Sequence, residues 1–400
     1  MRRSILNLLE LLLCTFALIA LGACSFSSLN NTEPVSATQV SVKLVAFNDF
    51  HGALDPTSVV LADPASAQVT RRVPAGGAKH LAAMLAKLRV EQPNTVVISA
   101  GDLVGASPLS SALTLDEGTI ELMNLLGVDF NAVGNHEFDR GVDELMRLQY
   151  GGCQRLTALV PCRVNPSFKG ASFRFLSANV ITRDGRPLFP ATGMRTFGQG
   201  RTAVTVGVIG LTLRETPSLV TPSGVSGLTF EDEAQTINRL VPSLRAQGAD
   251  VVVVAIHQGG ETQGDMNDRT CPGLGGPIVP VLERIDVPVD LVITGHTHRA
   301  YACDYALHDP AKSFWVTSAG QYGTLVTDID LTYDTQARRV VKLAAVNRVV
   351  EVQPTGLKAF VPAQGLLKEV SDLVERYTRE AEPLARRVVG RIGSDLNRVR

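Results

Sequence analysis

Residues 129–139 read Asp129-Phe-Asn-Ala-Val133-Gly134-Asn135-His136-Glu137-Phe138-Asp139, an apolar strand-like run that stops at a glycine and turns polar at once. The same layout recurs along the chain. The VSVKLVAF run ending at Phe47 leads into Asn48-Asp49-Phe50-His51, and Thr95–Ser99 leads into Gly101-Asp102. Val251–Ile256 ends at His257, and Val289–Thr294 ends at Gly295-His296-Thr297-His298. Five apolar strands thus each end on a metal-capable or catalytic side chain. In layered α/β folds ligands bind beyond the carboxyl ends of strands, where convergence places distant residues in one coordination sphere.

Helical patterns alternate with these strands. Leu81, Met84, Leu85 and Leu88 form an i, i+3, i+4, i+7 stripe within 77–91. Segments 117–126, 231–247 and 365–380 also read as helices, the last with Val370, Leu373, Val374 and Tyr377 at helical spacing. Further strands are expected at 204–210, 314–318, 324–333 and 339–350. The alternation predicts an α/β fold (α+β by some schemes) with helices covering the sheet faces.

The whole chain of 400 residues is 45% apolar and 19% charged, enough to bury a large core and contrary to wholesale disorder. Lys plus Arg is 38 and Asp plus Glu is 39, so nothing points to a nucleic-acid groove or a polybasic membrane surface.

Singly, the polar residues at the strand ends carry little information. A histidine after a strand is usually a hydrogen-bonded structural residue, and Gly-Asp is usually a turn. The ordered set is different. Five of the seven histidines fall in these motifs, leaving only His80 and His308 outside. His80 sits beside Leu81 in a helix and reads as structural. Glycines 101, 134 and 295 precede the candidate ligands and allow sharp turns there.

The order D-x-H, G-D, G-N-H-E, H, G-H-x-H resembles the calcineurin-like metallophosphoesterases, and the fuller Gly134–Asp139 motif resembles the bacterial 5′-nucleotidase / 2′,3′-cyclic nucleotide phosphodiesterase branch. The likeness covers roughly 41–350. It implies a four-layer β-sandwich flanked by helices, with two divalent ions at the strand ends. Two dications ~3.5–4 Å apart can hold a water between them and grip a phosphoryl oxygen. Mixed imidazole and carboxylate ligands suit Zn, Mn or Fe better than Mg or Ca. By resemblance Asp102 bridges both ions, Asp49, His51 and His298 complete one site, and Asn135, His257 and His296 complete the other. The nucleophile would be a hydroxide held between the metals. His136 would stabilise the transferring phosphoryl group or assist the leaving oxygen, with Asp139 orienting it. Nucleotidases of the best-known bacterial type have Gln where His298 stands, a departure that bears on metal preference.

The implied activity is 5′-nucleotide hydrolysis. Alternatives are 2′,3′-cyclic phosphodiester or sulfur-ester hydrolysis on the same scaffold, or a non-catalytic metal- or ligand-binding lipoprotein. A nucleotide or other phosphoester is the expected partner, no duplex nucleic acid is, and the chain is expected to be a monomer. In the family a linker helix and a C-terminal nucleotide-recognition domain follow. Residues 351–388 are expected to be that linker helix, and 389–400 the opening of that domain, cut short.

The N-terminus reads as an address. Met1-Arg2-Arg3, the apolar run Leu11–Leu21 and Leu21-Gly22-Ala23-Cys24 resemble a bacterial lipoprotein signal, with Cys24 as lipid attachment point and 24–40 as a tether. Export to the cell envelope, with membrane contact only through the lipid, is the expectation. Cys153, Cys162, Cys271 and Cys303 then remain in an oxidising compartment. Four cysteines allow three pairings. Cys153–Cys162 with Cys271–Cys303 is the expected one, and no C-x-x-C spacing supports a zinc site instead.

Overall fold

The computed structural model describes residues 38–63, 66–352, 363–390 and 393. The signal segment, Cys24, residues 25–37 of the tether and nearly all of 391–400 lie outside them. Among the described residues no helix is long and apolar enough to cross a membrane.

The strands in chain order are β1 (Gln39–Phe47), β2 (Thr57–Asp63), β3 (Ser66–Ala75), β4 (Thr95–Ser99), β5 (Phe130–Ala132), β6 (Arg174–Leu176), β7 (Val180–Ile181) and β8 (Thr192–Phe197). They continue as β9 (Val204–Thr212), β10 (Thr229–Phe230), β11 (Val251–His257), β12 (Leu291–Thr294), β13 (Ala300–Asp304), β14 (Trp315–Ala319), β15 (Leu325–Asp334) and β16 (Arg339–Val349). The longer helices are α1 (Ala78–Glu91), α2 (Glu117–Leu126), α3 (Val142–Tyr150), α4 (Glu233–Ala246), α5 (Ile278–Glu283) and α6 (Gln364–Ala385).

Period-two alternation of apolar side chains on both faces decides the layering. In β1, Val42, Leu44 and Ala46 face one core while Val45 and Phe47 face another. In β11, Val251, Val253 and Ala255 join the first of these cores, and Val252, Val254 and Ile256 a third. A strand apolar on both faces must be covered twice. The shared core lies between two six-stranded sheets, ordered β16-β15-β1-β4-β5-β6 and β13-β14-β12-β11-β9-β8. Helices α1, α2 and α6 cover the outer face of the first, through Leu81, Leu85, Met123 and Tyr377 among others. Helices α4 and α5 cover the second through Ile237, Leu244, Ile278 and Leu282. The result is the expected four layers, helix, sheet, sheet, helix. The segment 365–380 belongs to this packing: a Cβ on Gly118 would sit 2.8 Å from the Tyr377 ring, so α2 and α6 meet closely.

Strand direction then positions the site. β1, β4, β5 and β6 run parallel, as do β9, β11, β12 and β14; β15 pairs antiparallel with both β1 and β16, and β8 and β13 are antiparallel edge strands. Carboxyl ends of β1, β4 and β5 from one sheet meet those of β11 and β12 from the other. Two disulfides form, Cys153–Cys162 and Cys271–Cys303, each with Cα atoms 5.5 Å apart.

Candidate metal centre

The chain turns sharply as it leaves each strand. Asp49, His51, Asp102, His296 and His298 all hold φ between 49° and 69°. For a non-glycine residue that conformation costs roughly 1–2 kcal/mol. Backbone N–H groups hold the turns in place. Asp49 N donates to Gly101 O and His51 N to Asp102 O, each at 2.9 Å, while His296 N donates to Asp49 Oδ2 at 2.9 Å. Strain maintained at several neighbouring residues of one site is a mark of function.

The side chains fall into two groups. Asp49, His51 and His298 bring ligand atoms within 4.8 Å of one another, and so do Asp102, His257 and His296. The groups touch, since Asp102 Oδ2 lies 3.0 Å from His257 Nε2 and 3.8 Å from His51 Nε2. His51 Nε2 and His298 Nε2 face each other at 3.2 Å.

Three observations test whether these residues fit cations. His257 Nδ1 lies 2.7 Å from Ala100 O and His51 Nδ1 lies 2.9 Å from Gly105 O. A carbonyl only accepts, so both Nδ1 atoms donate and both Nε2 atoms point into the cluster. Metal-ligating histidines are commonly oriented in this way. His257 Nε2 and Asn135 Oδ1 are buried without a hydrogen-bond partner among the described residues. Such orphaned atoms are costly unless something else satisfies them. The donor set, imidazole nitrogen with carboxylate and amide oxygen, also suits divalent transition ions. The residues fit the group.

Electrostatics follow the geometry. Burial disfavours the Asp102 anion, yet His257 beside it, with His51 and His136 farther off, holds its carboxyl well below the usual range. Burial opposes protonation of His257, but the Asp102 carboxylate overrides it and lifts the imidazole to about 10. Burial pushes His51 and His296 down. These protons must leave for cations to enter, which couples metal binding to pH.

His136 and Asp139 stand beside the cluster. His136 Nδ1 donates to Asp139 Oδ2 at 2.8 Å, and that bond raises the imidazole's pKa. The His136 ring stands edge-on to His51, with centroids 5.1 Å apart, and about a third of its side chain remains exposed. Its backbone N–H donates to Asp102 Oδ1 at 2.9 Å. Eight of the nine residues expected at the site are therefore brought together by these contacts, and Asn135 follows β5 with its Oδ1 buried.

Two supports were not read from the sequence. Glu137, quoted there without a role, is buried and accepts from Asp102 N (2.9 Å), Leu103 N (2.9 Å) and Gly134 N (2.7 Å). Burial and the Asp102 carboxylate push its carboxyl up to about 8, against the backbone donors that favour its anion. Asn48 donates to Asp49 Oδ2 (2.6 Å) and Gly320 O (2.7 Å) and accepts from Ala319 N (2.8 Å), tying β1 to β14. Glu137 carried a visible signal, a buried acid inside the motif; Asn48 carried only its position before Asp49.

The calcineurin-like phosphoesterase profile matches residues 42–300, which contain every one of these side chains. The chain belongs to the calcineurin-like phosphoesterase family. Members use a dimetal site, and this chain holds two metal-ligand clusters within the matched residues. Among relatives of this phosphoesterase, Endonuclease YhcR of Bacillus subtilis is 27% identical over 89% of the chain, which spans 26% of YhcR. The 5′-nucleotidase of Rattus norvegicus is 28% identical over 71% of the chain, which spans 41% of that protein. A 5′-nucleotidase precursor from Thermus thermophilus shares the fold, with a TM-score of 0.61 at 19% identity over 88% of the chain and 61% of its own. The chain spans less than half the length of these two curated relatives.

Proposed function

We propose that this phosphoesterase is a 5′-nucleotidase, releasing phosphate from nucleotides at the cell envelope. The observation that carries the reading is two ligand clusters meeting at Asp102 with the His136–Asp139 pair alongside. The rat and Thermus proteins named 5′-nucleotidase support the substrate class.

In this reading Asp49, His51 and His298 hold one ion, Asn135, His257 and His296 hold the other, and Asp102 serves both. Zn, Mn and Fe match the donors. With two dications held there, the site would have a water of lowered pKa and positive charge to balance a phosphoryl oxygen. The remaining work belongs to the chain. Asp139 fixes the tautomer of His136 and favours its cation. His136 then balances charge on the phosphoryl group or gives its proton to the leaving oxygen. Glu137 ties the turn after β4 to the turn after β5 by accepting from the Asp102, Leu103 and Gly134 N–H groups. Export, lipid attachment at Cys24, a monomeric state, and a nucleotide-recognition domain opening near 389 complete the reading.

Phosphate release from AMP, from an aryl phosphate and from a 2′,3′-cyclic nucleotide, each with added Mn or Zn, tests it. AMP hydrolysis abolished by chelation and restored by metal is expected. Hydrolysis of the cyclic diester alone would replace the proposal with the phosphodiesterase reading.

A further inference from the structure

A groove of about 530 Å³ has His298, one of the candidate metal ligands, in its wall. Its volume is within the range of small-ligand sites. One side is the β2–β3 hairpin, contributing Val60, Leu61 and Arg72; the other side contributes Met266, Arg299 and Leu325.

Both walls are fixed. Val59 packs against the helix-covered core, and Val352 N donates to Pro74 O at the hairpin base (3.0 Å). The opposite loop is pinned by the Cys271–Cys303 disulfide and by reciprocal bonds between Asn267 and Asn347, at 3.0 and 2.7 Å. A groove held this way does not have to be ordered by its ligand.

Its chemistry is amphipathic. Val60, 54% exposed, with Leu61 and Leu325 offers apolar surface. Arg72 donates only to Ser58 Oγ (2.9 Å) and forms no ion pair among the described residues. Arg299 lies 3.6 Å from Glu261 with both side chains mostly exposed, a weak and screened pair. The single carboxylate in the lining, Asp265, accepts the Asn267 N–H at 3.0 Å. A second cavity of about 520 Å³ borders Asp139 on the other flank, but it carries Asp143 as well, and its Arg140 is taken up by Asp116 (2.8 Å) and Ala112 O (2.9 Å). An anion would be repelled there and attracted to the hairpin side.

We propose that the hairpin-walled groove receives the leaving group of the substrate and selects one that carries a second anionic group, which Arg72 and Arg299 bind. The inference rests on the phosphoester-hydrolase reading of the adjacent centre and adds the class of ester: a nucleoside-sized alcohol bearing a remote phosphate. The hairpin supplies one of the two cations and the residue after His298 supplies the other. Selection by charge would thus be built partly on a segment outside the metal-binding motifs.

The test compares adenosine 3′,5′-bisphosphate with AMP, which differ only by the remote phosphate, using the full chain loaded with Mn. The wild type should favour the bisphosphate in kcat/KM by about tenfold, the scale of one charge-assisted contact. Arg72→Gln and Arg299→Gln should each bring that ratio close to one, mainly through KM, with metal content unaltered. In parallel, calorimetric titration of the full chain kept metal-free by chelator, with adenosine 3′-monophosphate and with adenosine, reads the groove without turnover. The nucleotide should bind about tenfold tighter than the nucleoside, and either substitution should remove the difference. Equal binding of the two by the wild type, or a preference that survives both substitutions, overturns the groove assignment. Loss of all phosphate release with nucleotide binding intact would instead overturn the hydrolase reading and leave the groove standing.

Discussion

Asp102 sits where the two ligand groups meet, 3.0 Å from His257 and 3.8 Å from His51, and it is almost completely buried. A carboxylate shared by two cations cannot be removed without weakening both sites. Asp102→Ala is therefore expected to abolish metal binding, whereas His257→Ala should mainly empty one site. Metal per chain by elemental analysis decides, and retention of both ions in the Asp102 variant would sink the bridging role. His136 is expected to behave differently, since its imidazole belongs to neither group. His136→Asn should keep the metals and lose ~10²–10⁴-fold in kcat, the scale of acid–base or charge assistance. Asp139→Asn should lose less, because it acts through His136 at 2.8 Å. Wild-type turnover in a metal-loaded His136 variant would contradict the assignment.

At the scale of elements, strands buried on both faces were legible because their apolar runs are continuous: β1, β4, β9, β11 and β12 all lie within the expected segments or within two residues of them. Helices α1 and α6 followed from helical spacing, and these and α4 match the expected segments to within a few residues. What escaped were three of the four edge strands of the large sheets, β6, β8 and β13. β8 reads Thr-Gly-Met-Arg-Thr-Phe and β13 reads Ala-Tyr-Ala-Cys-Asp; each pairs on one side only, and neither carries the apolar run of a central strand. The β2–β3 hairpin is also a separate two-stranded unit, and its exposed Val60 gives no inward-facing pattern. The metal-site residues were legible because their types are rare and ordered; Glu137 and Asn48 act through backbone groups, which the sequence does not display. The disulfides bear on elements too. Cys271–Cys303 spans 32 residues and joins the loop after β11 to β13, while Cys153–Cys162 spans 9. Loop-closure entropy gives about 3.7 kcal/mol for the longer and about 2.7 for the shorter. Paired Cys→Ala replacement at 271 and 303 should lower stability to urea more than replacement at 153 and 162. The reverse order would show that native-state contacts, not chain entropy, dominate.

Across the whole molecule the candidate centre joins two sheets that also meet through side-chain packing and a few hydrogen bonds, such as Asn347 Nδ2 to Ser318 O. Asp49, Asp102 and Asn135 come from the ends of β1, β4 and β5, and His257, His296 and His298 from the ends of β11 and β12. Cations held between them would act as cross-links at the strand ends, on top of the apolar core between the sheets. They would also satisfy the orphaned His257 Nε2 and Asn135 Oδ1 and compensate the left-handed strain at five of the ligands. A ligand that binds only the folded state stabilises it by RT ln(1 + [L]/Kd), about 4 kcal/mol at a thousandfold excess over Kd. Chelation should therefore lower the unfolding temperature by several degrees, and Mn or Zn should restore it. The loss should be local before it is global. Amide exchange in the metal-free protein should rise first at the turns 48–51, 101–105, 134–139 and 295–298, while the centres of β4 and β11, buried on both faces, keep their protection. Asp102→Ala supplies the control, since a chain that cannot hold the ions should show one unfolding temperature with and without chelator. If chelation leaves the wild type's unfolding temperature and exchange pattern unchanged while activity disappears, the cations do not tie the sheets together, and the strand-end strain is held by Glu137, Asn48 and the backbone alone.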